Sequence, residues 1–458
     1  MKAPIRTVRA ALLTLVAIAA CVSTANAASP RIDASFGTKP LATLAGETRL
    51  TPISCEARDD GTLAILGQAD GPGWPSSWKR QKMVANIVDP QNANKGSWMP
   101  LKSAKGEYLA ASDFAPNRDI AYVNAPVLDK RSHTFVVRKT NQELGSASKW
   151  HDVKISLPLK RIKSYYTSVN VLNLRDHGVL VVIDRVDGQW IYRFTAAGKP
   201  ADFGTNGVLR LTKPAPSLWY IPTRAATPLI EAYDGSLIVA ASSRPGQASS
   251  DTLGLLKLSA RGTVVDSFAD HGLWFPPREV PEQKPLEESQ KRGAPLTMSV
   301  VGGQSAGQPL TVLFGVRVDN QVGTNVLIAA AQLTEAGLQT SVTKSFDVGS
   351  NGGDGGFADA TPFDFASTTS GFRYASAQSQ FRGPTSANTY GKFASLTPSL
   401  GAPLDQSRLR MNGKFIPYDF AASPDGKFIY ACGAVPRQVA NSKRQWSRYA
   451  PALKRFKL

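Results

Sequence analysis

The stretch Asp234–Ser242, DGSLIVAAS, decides the fold: a two-residue turn signal followed by a short run of Leu, Ile, Val and Ala. An apolar run of that length, punctuated by Asp-Gly, reads as a turn entering a β-strand. The same order recurs along the chain. Asp60-Gly61 precedes TLAILG, His177-Gly178 precedes VLVVID, and Asp425-Gly426 precedes KFIYACG. Looser copies are Arg118-Asp119 before IAYVNA, Gly307-Gln308 before PLTVLFGV, and Ser370-Gly371 before FRYASA. Counted at positions 61, 119, 178, 235, 307, 371 and 426, the steps are 58, 59, 57, 72, 64 and 55 residues. The long step contains residues 279–293, rich in Pro and charge and without strand pattern, which reads as a loop insertion between regular units.

Each turn and strand is followed by a polar loop and a second strand, as in WIYRFTAAG (190–198), LGLLKLSARG (253–262), VLIAAAQLTEAG (326–337) and YGKFASLTPSLG (390–401). A third pattern follows in the better copies: PADFGTNGVLRL at 200–211 and VDSFADHGLWF at 265–275. Long helical periodicity is absent beyond the first 27 residues. Seven three- or four-stranded units cannot each bury both faces alone, but stacked radially they can, leaving only short edges. The expected fold is therefore all-β, a seven-bladed β-propeller. The alternative, two packed β-sandwiches of roughly 200 residues each, does not account for the regular step.

Both ends of the chain bear on closure. Ile32-Asp33-Ala34-Ser35-Phe36-Gly37, followed by PLATL, matches the third pattern without a unit before it. The last unit runs through KFIYACG to YAPALKRFKL and stops. The N-terminal strand is thus expected to complete the C-terminal blade.

The Asp-x-x-Phe-Gly pattern at a period near 60 resembles the delta-60 repeat of secreted bacterial β-propeller-like proteins. It is carried by Asp33–Gly37, by Asp202-Phe203-Gly204-Thr205-Asn206-Gly207, and by Asp266-Ser267-Phe268-Ala269-Asp270-His271-Gly272. The middle copy lacks two residues between Asp and Phe, the last has Ala269 in place of Gly, and the copies near 346–353 and 400–409 are degenerate. The resemblance implies a structural repeat and a propeller fold, not an activity. In physical terms Phe would pack between blades, Gly would turn the chain and Asp would cap the turn.

Composition sets the wider limits. The chain has 458 residues, 53 Lys and Arg against 35 Asp and Glu, 42% hydrophobic residues and three cysteines. That apolar share can fill a core, and three cysteines cannot make a disulfide scaffold. Lys2, Arg6 and Arg9 precede an apolar run over 10–20 and the small-x-small Ala25-Asn26-Ala27, the layout of a secretory signal peptide over 1–27. Ile18-Ala19-Ala20-Cys21 also resembles a lipobox, so a lipoprotein anchored at Cys21 is the alternative to a mature chain starting at Ala28. Loss of 1–27 removes three of the 53 basic residues and no acid, leaving 50 against 35, or +15. No later stretch approaches the length of a membrane span. The expected product is a monomeric, periplasmic or secreted single domain over 28–458.

In an exported chain Cys55 and Cys432 are a candidate disulfide, or else two buried thiols; they can meet only if the first and last units are neighbours. For metal, Asp347, Asn351, Asp354 and Asp359 lie in DVGSNGGDGGFAD, but without EF-hand spacing, and His133, His151, His177 and His271 are scattered. No metal and no cofactor is expected. No Gly-x-Ser-x-Gly elbow is present, and no catalytic residue is assigned. Binding surfaces are better marked. Trp74, Trp78 and Trp98 flank Lys79, Arg80 and Lys82, and Lys160, Arg161 and Lys163 form a second basic cluster; a third lies in the tail, from Lys443 to Lys457. Aromatics beside cations suit sugars or anionic polymers, although the same Trp could pack the loop onto the blades. The positive field favours anionic envelope components or another exported protein, and not genomic nucleic acid. The expected function is a binding platform; the alternative is a hydrolase or lyase on acidic or glycan substrates at the channel mouth.

Overall fold

The computed structural model describes residues 31–42, 49–70, 81–102, 107–114, 119–126, 133–141, 150–157, 168–185, 188–211, 229–242, 253–274, 295–301, 310–320, 323–334, 345–350, 358–360, 364–368, 371–382, 386–396, 407–410, 415–437 and 448–457. The segments read from sequence as a leader, 1–27, and as a loop insertion, 279–293, both lie outside them.

The described chain is all-β apart from a short 3-10 turn, Pro90–Lys95. Its strands form seven antiparallel sheets. The first is Arg49–Ala57, Leu63–Asp70, Gln81–Val88 and Met99–Pro100. The second is Glu107–Phe114, Asp119–Pro126, His133–Asn141 and Val153–Leu157. The third is Ser168–Asn173, Val179–Arg185, Gly188–Phe194 and Val208–Leu211. Next come Leu229–Glu231, Leu237–Ser242, Leu253–Leu258 and Leu273–Trp274 as the fourth. In the fifth are Pro295–Val301, Leu310–Asn320, Gly323–Leu333 and Ser345–Ser350. The sixth has two short inner strands, Ala358–Ala360 and Asp364–Thr368, both on Gly371–Arg382, then Ser386–Leu396 and Ser407–Arg410.

Three strands of the seventh sheet come from the C-terminus: Ile416–Ala422, Phe428–Arg437 and Arg448–Lys457. Its outer edge is supplied by the N-terminus. Arg31 pairs with Lys457 and Ile32 with Phe456, while Thr38, Lys39 and Pro40 pair with Lys454, Leu453 and Ala452.

Every turn signal read from the sequence leads into the second strand of a sheet. In the first and third sheets the start of this strand is an unbroken apolar run because both its faces are buried. Along Leu63–Asp70, Leu63 and Ile65 face a core shared with the seventh sheet, and Ala64 and Leu66 one shared with the second. Val179, Val181 and Ile183 face the second sheet, while Leu180 and Val182 face the fourth. Phe36, Phe203 and Phe268, from the three repeat copies, are all buried, and each fills the core between successive sheets.

First strands lie beside first strands: that of the seventh sheet touches that of the first, the second touches the third, the third the fourth, and the fourth the fifth. The fifth touches Asp364–Thr368 of the sixth, which in turn touches the seventh; the first and second sheets meet through Gln81–Val88 and Glu107–Phe114. Register shifts fall in four of these first strands, at Pro52/Ser54, Leu109/Ala111, Pro295/Thr297 and Pro417/Asp419. Three of them involve proline, which cannot donate to a ladder and is tolerated in a sheet at such bulges.

Candidate functional site

The turn between the first and second strands is rebuilt in the same way in four sheets. Asp60, Asp176, Asp234 and Asp425 each accept, through Oδ1, the main-chain N–H two residues on, at 2.8–3.1 Å. The residue after each Asp takes a positive φ: Gly61, His177, Gly235 and Gly426. Each carboxylate also meets a cation, Arg58, Arg193, Lys257 or Lys427, at 2.8–3.4 Å. Each of these four Asp residues is therefore a turn cap. His177 stands in the structural place of the glycines. His271, the other Asp-His-Gly histidine, lies instead in the connection to the outermost strand of the fourth sheet. Both have positive φ, at 62° and 48°, so what they share is a backbone conformation.

Beside these turns the first strands bring acids together. Asp419 accepts the Cys55 N–H at 2.6 Å, tying the seventh sheet to the first. Asp113 accepts the Asn173 N–H at 2.7 Å, while the Asn173 amide donates to the Asp113 carbonyl at 2.8 Å, tying the second sheet to the third. Glu231 accepts the Arg175 N–H at 2.7 Å, tying the fourth to the third. Each carboxylate thus satisfies a main-chain donor of the neighbouring sheet.

Glu56, on the first strand of the first sheet, is different. Burial, with the nearby charges of Asp113, Asp419 and Asp59, pushes its carboxyl up to about 8. A carboxyl displaced that far carries a proton at neutral pH and can donate it. Among the described residues no group of three or more His, Cys, Asp or Glu is arranged to hold a metal ion.

The cysteines are bridged. Cys55 and Cys432 form a disulfide with Cα atoms 6.4 Å apart, joining the first and seventh sheets across 377 residues. It lies in the core containing Phe36, Leu41, Trp98 and Leu453.

Of the predicted binding residues, Trp98 is buried in that core and its indole N–H donates to the Ala42 carbonyl at 2.7 Å, so it packs its segment down instead of standing free. Lys82 pairs through its main chain with Ala69. Trp74, Trp78, Lys79, Arg80, Lys160, Arg161 and Lys163 lie outside the described residues. In the tail, Lys454 is buried over the Phe415 ring and Arg455 is held by Asp33, so these two cations serve the interior. Asp347 belongs to the outer strand of the fifth sheet and Asp359 to an inner strand of the sixth, while Asn351 and Asp354 lie outside the described residues. Glu56, Asp113 and Asp419 escaped the sequence reading. The only signal was an acid near the end of a first strand, shortly before the next turn signal.

No family model matches this chain. No curated protein matches it either. Several solved structures are similar in fold. The β-propeller domain of Vanderwaltozyma polyspora Nup133 is 10% identical, with 86% of this chain and 98% of that one covered and a TM-score of 0.43. An endosialidase of phage phi92 is 8% identical over 92% and 69%, with a TM-score of 0.42. An α-L-arabinanase of Penicillium chrysogenum complexed with arabinobiose is 10% identical over 62% and 80%, with a TM-score of 0.35. The fold, taken from the described strands themselves, is all-β, with seven antiparallel sheets whose first strands lie side by side. Among the described residues no helix is long and apolar enough to cross a membrane.

Proposed function

We propose that this chain is an exported seven-bladed β-propeller of the delta-60-repeat type, closed by its N-terminal strand, that serves as a binding platform for anionic polymers of the cell envelope. One observation carries the reading. The carboxylates of Asp113, Asp419 and Glu231, which a catalytic mouth would present to substrate, are engaged as ties between sheets. The axis is a framework, and the charge of +15 left after the leader acts outward. The disulfide supports export, since such bridges persist in oxidising compartments. The test is retention of the mature protein on immobilised dextran sulfate or oligogalacturonate. Retention at low salt that is lost by 0.5 M NaCl supports the platform; no retention on either polymer at low salt overturns it.

Glu56 favours a second reading, in which the chain hydrolyses or eliminates an acidic or glycan substrate. A carboxyl whose pKa is pushed well above that of an ordinary carboxyl, with other acids nearby, is the arrangement from which acid and base roles are divided. This reading requires turnover of a glycan panel that is abolished in Glu56→Gln. Turnover unchanged in that variant, or absent from the wild type, rejects it.

A further inference from the structure

Arg175 and Tyr233 sit on the first-to-second-strand turns of two adjacent sheets, the third and fourth. The Arg175 side chain reaches across the boundary. Its Nη1 donates to the carbonyls of Ala232, at 3.3 Å, and Tyr233, at 3.1 Å. Its own main-chain N–H is fixed by Glu231 at 2.7 Å. The guanidinium is therefore held through Nη1 by neutral carbonyls that leave its charge intact, while Glu231 fixes the residue's main chain.

What remains free is specific. Nη1 is occupied, but Nε and Nη2 have no partner among the described residues, and no carboxylate of those residues lies within ion-pair distance. The Nε–Nη2 edge is a fork of two parallel N–H groups, which matches the two oxygens of a carboxylate. The other arginines of comparable placement are consumed: Arg138 by Glu107 and Asp152, Arg193 by Asp176, and Arg455 by Asp33.

Beside this fork stands an open aromatic face. Tyr233 is 53% exposed, whereas the other described aromatic side chains of these two sheets are buried or half-buried. The Arg175 Cζ lies 5.8 Å from the Tyr233 ring centroid. A sugar ring stacks on such a face through its C–H groups, and a carboxylate carried by that ring then reaches the adjacent fork. A phosphate or sulfate ester on a flexible arm would use the charge but not the ring.

We infer that Arg175 and Tyr233 form a subsite for one hexuronate residue of an acidic glycan, with the carboxylate on the Arg175 fork and the pyranose on the Tyr233 ring. This rests on the platform reading and narrows its ligand to carboxylated sugar polymers.

The probe is oligogalacturonate, titrated calorimetrically into the mature protein at low salt, with dextran sulfate in parallel. Arg175→Lys keeps the charge and the Glu231 bond but loses the fork, and is expected to weaken oligogalacturonate binding about tenfold. Tyr233→Ala is expected to do the same, and Tyr233→Phe to leave binding within about twofold. Lys427→Ala removes a distant exposed cation and is expected to cost no more than about twofold. Unchanged melting temperatures show that the variants are folded. The subsite is overturned if Arg175→Lys and Tyr233→Ala bind as wild type, if Lys427→Ala loses as much as Arg175→Lys, or if the wild type binds dextran sulfate but not oligogalacturonate. In those cases the platform stands without it; a wild type that binds neither polymer removes both.

Discussion

The Arg455 guanidinium meets the Asp33 carboxylate at 2.7 and 2.9 Å, joining positions 422 residues apart. The guanidinium also lies 4.5 Å from the Phe36 ring centroid and 4.3 Å from that of Phe428. Burial alone would raise the Asp33 carboxyl, but the Ser35 hydroxyl and Arg455 overcome it and hold the group at about 2. Asp33→Asn is expected to lower unfolding stability by about 3 kcal/mol at pH 7, because it leaves a guanidinium that is only 11% exposed without its counter-ion. A depressed carboxyl gives its full stabilisation above the ordinary carboxylate range and loses it as pH falls from about 4 to about 2. The gap between wild type and variant should therefore shrink over that window. Deleting residues 28–45 removes the whole edge strand and should cost more. Identical melting temperatures of wild type and either variant at pH 7 would contradict the role of this strand.

Glu56 gives a pH dependence of opposite sign. Its carboxyl is raised to about 8 in the folded chain, so between the unfolded value near 4.5 and about 8 the folded state holds a proton that the unfolded state has lost. Stability must fall as pH rises through that range. Glu56→Gln removes the dependence and should be the more stable protein at pH 8, by on the order of 1–2 kcal/mol. Chemical denaturation at pH 5 and pH 8 checks this, and parallel pH profiles for the two proteins would refute it.

Cys432→Ser opens the bridge between the first and last sheets. The bridge closes a long loop in the unfolded chain, so its loss should cost roughly 2–4 kcal/mol. Denaturant midpoints of wild type and variant, each with and without reductant, give the measurement. Reductant should affect only the wild type, once it is unfolded, because both cysteines are buried.

The four Asp-capped turns form an internal control. His177 takes the left-handed conformation that glycine fills in the other three. His177→Gly is expected to stabilise by about 0.5 kcal/mol, the relief of αL crowding exceeding the added chain entropy. Gly235→Ala, at φ 76°, should destabilise by about 1 kcal/mol. Thermal melts of the pair should shift in opposite directions.

The legible part of the fold was the part buried on both faces. LAILG, VLVVI and LIVAA are apolar at every position because sheets cover them on either side, and a turn with a mechanism marks where each begins. First strands such as Glu107–Phe114 and Ile416–Ala422 are shorter on apolar residues and interrupted by bulges, so their pattern fades. Two-residue edges such as Leu273–Trp274 are too short to show any period. The pairing of Cys55 with Cys432 could be posed from sequence only because both ends of the chain carried pieces of one unit. Glu56, Asp113 and Asp419 belong to three different sheets, and no spacing along the chain relates them. Their proximity exists only after the sheets assemble, as does the juxtaposition of Arg175 with Tyr233.

The core that contains Phe36, Cys55, Cys432 and Leu453 draws on segments made early and late in synthesis. It cannot close before Arg448–Lys457 has emerged. Until then Thr38–Pro40 has no bed, Cys55 has no mate, and one flank of the first sheet stays wet. Any interruption of synthesis ahead of Arg448 would leave that seam open, and quality control would meet an unsealed molecule.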